Sequence, residues 1–500
     1  MDPVYDDVLY MIDGLQRLNT LDTGGFRKFC DSLVQAPPHS PWSTGLAVAA
    51  FALFGIHDWA PYVFNGSLVF FFLLVAARLV DVESGLVKAA ILSIILLLQL
   101  TFSAVHELRP DFAVALFTAT FSLLLVKMAC YDEEPAEARH HFCVGLVVGL
   151  AYLTKPTFFA HTTVMLCASI FLAEICRRFV SNGRVRLARA ISRLLAVFTG
   201  ALLVSGPYFL LSWRQILDYF FANTGDGKFA TLWKIQGGPW SALSLYVLGY
   251  PAKAMLGSFY PELLFCLLAG FVFSILTRNR RASLFTLSGI ALAAVSLAIL
   301  SFGGMDNIFF GFTWEIVLLL TVIYSLGEMF KTKGVGFGAI IFCVLSVFVF
   351  YESGWAQNIW TVTKDTAGEN SINETIVRQV SAHAASDLRS KPPTVYMSFA
   401  GNVDVTSQSW LALKQNLNIQ FDSRFYSGAI EEHLAQIQHA DFVEVADPAS
   451  KWLYKWQPGW PLQSELLNRL RDRPDFEELP PIKGAEGTVF LFERKVPHEK

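Results

Sequence analysis

Charge is scarce in this chain of 500 residues: only 16% are Asp, Glu, Lys or Arg, well below what soluble globular domains carry. A basic excess is absent too, since the formal net charge is -3, and nucleic acid is therefore not an expected partner. The seven cysteines are odd in number, and Cys130, Cys143, Cys167, Cys176, Cys266 and Cys343 lie in or beside apolar runs. They read as small buried hydrophobes and give neither a disulfide framework nor a metal-type spacing. No Gly-rich phosphate loop follows a strand and no Gly-x-Ser-x-Gly elbow occurs, which removes support for soluble nucleotide-sugar chemistry. Residues Met1 to Pro41 lack the basic start and apolar stretch of a signal peptide. Nor is there an internal repeat of the kind found in inverted-repeat transporters.

What remains is apolar: 53% hydrophobic residues, a mean hydropathy of +0.43, 43 Phe and 12 Trp. Such aromatic abundance suits lipid-facing helices and interface belts. Runs long enough to cross the hydrocarbon layer of about 30 Å fall at about ten places: Trp59–Val80, Leu86–Val105, Asp111–Cys130, Phe142–Thr157, His161–Phe179, Leu194–Trp213, Phe259–Thr277, Leu284–Phe302, Ile308–Leu326 and Val335–Tyr351. Basic residues crowd three connecting loops, at Arg177, Arg178, Arg184, Arg186, Arg189 and Arg193, at Arg278, Arg280 and Arg281, and at Lys331 and Lys333. These three loops fall on one side, so the positive-inside rule makes that side cytoplasmic and both termini outer. Pro41–Gly55 is too short to span, and Ser241–Gly257 is broken by Gly249 and Pro251; both are expected to lie in the outer interface.

From about Glu352 the composition becomes that of a soluble domain. Strands are expected at Val395–Phe399, Phe442–Val445 and Val489–Phe492, and helices at Gln408–Asn416, Ala429–His439 and Gln463–Asp472. The expected organisation is an outer-face segment with interfacial helices over 1–58, a helical membrane domain over 59–351 and an outer α/β domain over 352–500.

Ionisable groups kept at the outer ends of spans are costly and are the default functional candidates. Asp6-Asp7 could act as general base and cation partner; equally, the pair could be a helix cap interacting with the dipole. His106-Glu107-Leu108-Arg109-Pro110-Asp111 packs four ionisable groups into one span junction. Pro110 suits a helix start, and the plain alternative is a snorkelling Arg109 with a capping Asp111. Lys155, in Thr154-Lys155-Pro156, could hold a lipid phosphate as a point charge, or be an ordinary interface lysine.

The order of these segments carries a resemblance. An acidic pair comes first, then Pro37-Pro38-His39-Ser40-Pro41 leading to Phe54-Gly55-Ile56 and Trp59-Ala60-Pro61, then Arg109-Pro110-Asp111, then Gly149-Leu150-Ala151-Tyr152-Leu153-Thr154-Lys155-Pro156. It resembles the integral-membrane C-type glycosyltransferases of the dolichyl-phosphate-mannose protein mannosyltransferase and aminoarabinose transferase superfamily. The motifs cover roughly the first third of the chain. The resemblance implies a GT-C-like α-helical polytopic bundle of about ten spans with a C-terminal extramembrane α/β domain, a multi-pass place in a bacterial inner membrane, and a polyprenyl-phosphate sugar as donor. The acceptor, whether glycan, lipid or protein, stays open.

It further implies that Asp6 is the base, with Asp7 beside it, that Asp111 supports the site, and that Lys155 and Arg109 meet the donor phosphate. His106, Glu107 and His39 are further candidates for substrate binding. A divalent cation between carboxylates and phosphate is left open. Two departures stand out: the family has a span before the acidic loop, whereas here Asp6 nearly coincides with Met1, which points to a missing first helix or a misplaced start, and a charged residue that some relatives place before the prolines is replaced by Ala36, with His39 nearby. Two rivals remain in play, a transporter or flippase of lipid-linked sugars and a non-catalytic membrane scaffold with an outer binding domain. The first would put its charges at span centres and show repeat symmetry.

Overall fold

The structure, a computed structural model, describes residues 6–101, 107–131, 138–181, 187–223, 237–249, 255–257, 260–303, 311–331, 371–384, 391–399, 401, 403–455, 457–484 and 486–495. His106 and the run Val335–Tyr351 lie outside them. The chain divides into two compact units. One comprises Met1–Gln16, Phe51–Ala60 and Ala356–Lys500, and the other Arg17–Ala50 and Pro61–Trp355.

The larger unit is a polytopic α-helical membrane bundle. Its helices follow α1 (Asp6–Gln35, shared between the units) and α2 (Pro41–Phe54, whose last residues fall in the other unit), and are α3 (Ala60–Leu79), α4 (Gly85–Leu97), α5 (Pro110–Tyr131), α6 (Ala138–Thr154), α7 (Phe159–Ser181), α8 (Leu187–Asn223), α9 (Gly238–Leu248), α10 (Tyr260–Leu276), α11 (Arg280–Gly303) and α12 (Phe312–Lys331). Among the described residues, six helices are long and apolar enough to cross a membrane. α4 and α10 are apolar but shorter, at 13 and 17 residues, so about 20 and 26 Å at 1.5 Å per residue. That difference explains why runs read as spans from hydropathy alone do not all reach the length of a crossing helix.

Two helices sit at the centre. Burial inside the protein reaches 83% of the apolar window of α5 and 89% of that of α12, against 33% for the segment containing α7 and 28% for α8. α6 and α8 approach backbone to backbone: a Cβ on Gly145 would lie 2.2 Å from the Val197 carbonyl oxygen, and one on Gly200 would lie 2.4 Å from that of Phe142. Gly145-x-x-x-Gly149 is thus a small-residue contact of the type that lets membrane helices pack closely. It fixes the helix whose C-terminal end delivers Lys155. α1 breaks at Gly25, whose φ of 72° is a left-handed conformation that favours glycine.

The smaller unit holds an open six-stranded sheet, β1 (Thr394–Met397), β2 (Gln420–Ser423), β3 (Phe442–Ala446), β4 (Phe476–Glu478), β5 (Ile482–Lys483) and β6 (Thr488–Arg494), in the order β2-β1-β3-β6-β4 with β5 also on β6. β1 pairs parallel with both β2 and β3, and β6 runs antiparallel to β3. Helices Val405–Lys414, Ile430–Ile437 and Gln463–Arg471 make the connections. Alternation sorts the faces: Val395 and Met397 pack with Ile372, Ile376 and Val380, whereas Tyr396, Val443 and Val445 pack with Ile437, Leu466 and Leu470. In this unit Trp410 donates to Asp58 at 2.9 Å and stacks on Phe51, so 51–60 is part of its packing.

Candidate functional site

Asp111 stands in the first turn of α5, just after Pro110, where a missing backbone N–H costs nothing and a carboxylate meets the positive end of the helix dipole. Its side chain is buried, and Oδ1 accepts a hydrogen bond from Lys155 Nζ at 2.5 Å. Lys155 lies between α6 and a single 3-10 turn, Pro156–Phe158, and its ammonium sits 5.9 Å from the centroid of the Phe158 ring. The two charged residues singled out from separate span ends are therefore an ion pair. Each ion is expensive to bury alone, so the pairing is what permits both.

The backbone around the pair is held by neutral side chains. Ser40 Oγ donates to the Thr154 carbonyl at 2.7 Å, and Ser43 Oγ donates to the Leu108 carbonyl at 2.9 Å. Ser40 also accepts from the Ser43 N–H at 3.2 Å, which caps the start of α2. Asn65 Nδ2 donates to the Glu107 carbonyl at 2.6 Å, and Tyr208 Oη donates to that of Pro38 at 2.7 Å. The Pro-rich segment thus clasps the loop before Asp111 and the residue before Lys155. Arg109 is half-buried in the loop before Asp111, Glu107 is half-buried two residues earlier, and His39 is exposed beside Ser40.

Asp6 is the first residue of α1, and Asp7 beside it is buried. These two belong to the smaller unit, whereas Asp111 and Lys155, which form an ion pair, belong to the larger. Among the described residues no group of three or more His, Cys, Asp or Glu comes together to hold a metal ion.

One residue escaped the sequence reading. Glu315, in the first turn of α12, is fully buried, and neither of its carboxyl oxygens has a hydrogen-bond partner among the described residues. Leaving a buried polar group unsatisfied costs about 1–3 kcal/mol, more if charged. The two central helices thus each open with one buried acidic residue. Phe112 and Phe312 touch edge to face with centroids 6.1 Å apart, which sets those two helix starts side by side.

Comparison with solved structures connects this geometry to a known architecture. ArnT from Cupriavidus metallidurans in the apo state aligns over 98% of this chain and 94% of that chain, with a TM-score of 0.60 and 13% sequence identity. The same protein bound to undecaprenyl phosphate aligns over the same shares, with a TM-score of 0.56 and 12% identity. This chain has the fold of ArnT. At such identity the likeness is one of architecture, and no family model and no curated protein matches the chain by sequence. The ArnT-like alignment runs through both units, bundle and sheet alike.

Proposed function

We propose that this chain is a glycosyltransferase that moves a sugar from a polyprenyl-phosphate donor to an acceptor at the outer face of the membrane. The observation that carries the reading is the buried Asp111–Lys155 pair, clasped at one end of a bundle whose fold matches a protein seen with undecaprenyl phosphate. Lys155 donates to Asp111 and is a point-charge cation of the kind that holds a phosphate. Arg109 assists at the phosphate, and Asp6 takes the acceptor proton, with Asp7 beside it. His39, His106 and Glu107 are the further residues assigned to substrate binding.

The reaction is an inverting displacement. The acceptor oxygen forms a bond to the anomeric carbon, the bond from that carbon to the phosphate oxygen breaks, the acceptor proton passes to the carboxylate, and the polyprenyl phosphate leaves as an anion stabilised by Lys155. With the reading goes the division into an outer segment over 1–58, a membrane domain of about ten spans over 59–351 and an outer α/β domain over 352–500.

The test is transfer from an undecaprenyl-phosphate sugar by the purified full chain in lipid nanodiscs. Wild-type turnover that is lost in Lys155→Ala and Asp111→Asn supports the assignment. Near wild-type turnover in both variants would leave the pair a structural tie and the assigned site wrong.

A further inference from the structure

A cavity of about 50 Å³ opens between α5, α6, α7 and α8, away from the Asp111–Lys155 pair. Leu125, in its wall, stands 14 residues along α5 from Asp111, and His141 stands 14 residues before Lys155. Both helices thus set the cavity about 20 Å from the pair, at 1.5 Å per residue. One water needs roughly 10–15 Å³ of such space, so about three to five oxygen-sized groups fit, enough for a phosphate group. Facing walls come from Ile170, Ala173, Glu174 and Arg177 on α7 and from Arg193 and Val197 on α8, each set spaced to share one helix face. Polarity is graded along both walls. Arg177 and Arg193 lie toward the helix ends that the arginine-rich segment joins, whereas Ile170 and Val197 lie one to two turns deeper. At the charged end, Arg177 donates to Glu174 Oε1, and Arg193 Nη1 lies 3.8 Å from the same oxygen, so one carboxylate oxygen holds two guanidinium groups in place. Glu174 Oε2 is buried and has no hydrogen-bond partner among the described residues. His141 stands in the first turn of α6 and Arg193 in the second turn of α8, so the positive ends of two helix dipoles add to the field there.

From this convergence we infer that the cavity is a lipid subsite at the inner leaflet, in which Arg177 and Arg193 hold the phosphodiester of an anionic phospholipid, a head-group hydroxyl donates to Glu174 Oε2, and an acyl chain starts along Ile170 and Val197. The inference goes beyond the transferase reading and does not depend on it. Guanidinium groups match phosphate oxygens in charge and in geometry. Two of them against one carboxylate suit a ligand of net negative charge, and the spare carboxylate oxygen calls for a hydroxyl donor on the same head group. The segment from Arg177 to Arg193 holds six arginines and no acidic residue, which by the positive-inside rule assigns this end of the bundle to the cytoplasmic side. Basic pockets between membrane helices on that side are where anionic head groups bind. A free phosphate shares the chemistry, but the walls favour a lipid: their apolar part adjoins exposed apolar residues of the same helices, Phe171 on α7 and Leu195 and Phe198 on α8.

The experiment measures equilibrium binding of acyl-labelled phosphatidylglycerol, phosphatidylethanolamine and phosphatidylcholine to the full chain in detergent. Wild type is expected to bind phosphatidylglycerol about tenfold tighter than phosphatidylcholine, with phosphatidylethanolamine between them. The double change Arg177→Gln with Arg193→Gln should bring phosphatidylglycerol down to the level of phosphatidylcholine. Ala190→Leu should do the same by filling the cavity from its α8 wall while every charge stays, which guards against a loss caused by the stranded Glu174. Arg278→Gln with Arg280→Gln, an equal loss of charge at exposed arginines of another basic loop, should keep the preference. A preference that is missing from wild type, that survives either cavity change, or that vanishes equally in the Arg278 and Arg280 control overturns the subsite. Tighter binding of phosphatidylethanolamine than of phosphatidylglycerol, lost in Glu174→Gln, overturns the hydroxyl chemistry in favour of an ammonium group. Displacement of the lipid by 10 mM inorganic phosphate, against chloride at matched ionic strength, overturns the lipid in favour of a soluble phosphate.

Discussion

Each of the two units encloses a fully buried glutamate, and the two differ in how far they are paired. In the sheet unit Glu444 lies on β3, the strand between β1 and β6, and all five residues of that strand are buried. Its Oε2 accepts from Gln408 Nε2 at 2.9 Å, and its backbone carbonyl accepts from Ser398 Oγ at 3.0 Å. Gln463 joins the network through Ser398, and Asp404 caps the helix that carries Gln408 by accepting from the N–H groups of Thr406 and Ser407. Burial pushes the Glu444 carboxyl up to about 8 and raises that of Asp404 as well. One oxygen of Glu444 is thus paired and Oε1 is not, whereas in the bundle neither oxygen of Glu315 has a hydrogen-bond partner among the described residues. A paired buried polar group specifies a core, whereas an unpaired one is a cost that packing alone does not explain.

The comparison can be broken in several places. The largest effect is expected at the charged pair of the bundle: Asp111→Asn should lower sugar transfer by about 10²-fold to 10⁴-fold if the carboxylate takes part in proton transfer, and Asp6→Asn at least as much. Steady-state turnover at equal folded yield measures both. A mere cap would lose little, because Asn caps about as well as Asp. Next comes Gly145→Leu, which drives a side chain into the backbone of Val197 and should cost more than about 3 kcal/mol or prevent assembly of the bundle. Folded yield and thermal stability in detergent report it.

Glu444→Ala should destabilise the sheet unit by about 2–4 kcal/mol, through a cavity and a stranded Gln408 amide. Glu315→Met should instead leave the bundle as stable as before or slightly more so, since it removes a buried group that nothing among the described residues satisfies. Equal destabilisation by the two changes would erase the contrast. The smallest effect is a pH dependence. The folded state holds a proton on Glu444 more tightly than the unfolded chain, so this contribution is fully present below the ordinary carboxylate range near 4.5 and fades as pH rises through about 8. Asp404 acts in the same direction, whereas Asp475 and Glu478, drawn below their usual range by Arg473 and Arg471, lose their contribution as pH falls. Thermal unfolding across pH 5 to 9, with Glu444→Gln as the flattened control, reads the slope.

Much of this organisation was legible before any coordinates. Apolar runs marked the long helices, because burial and lipid contact leave their imprint on residue type. Strands β1, β3 and β6 were visible as β-branched and aromatic stretches. Strand β2, Gln420–Ser423, was not, since an edge strand with polar, half-exposed residues has no apolar alternation to show. Asp111 and Lys155 drew notice as charges at span ends, but their pairing across 44 residues left no sign in the chain. Ser40, Ser43 and Asn65 were missed because neutral polar residues are common, and their function lies in which distant carbonyl they reach. Glu315 was hidden inside the run Ile308–Leu326, where one acidic residue hardly dents the hydropathy.

The serine clasp has a consequence for motion. Loop 107–109 and residues 154–155 are far apart in sequence, yet both are fastened to the same short proline-bounded strip through Ser40 and Ser43. They are thus expected to breathe as one part, with a common opening free energy. Amide hydrogen exchange at Leu108 and Lys155 should accelerate together in Ser40→Ala, although Ser40 touches only one of the two segments directly, because its loss also frees the Ser43 cap. A phosphate anchor and a carboxylate carried on such a part would reach a ligand together or not at all.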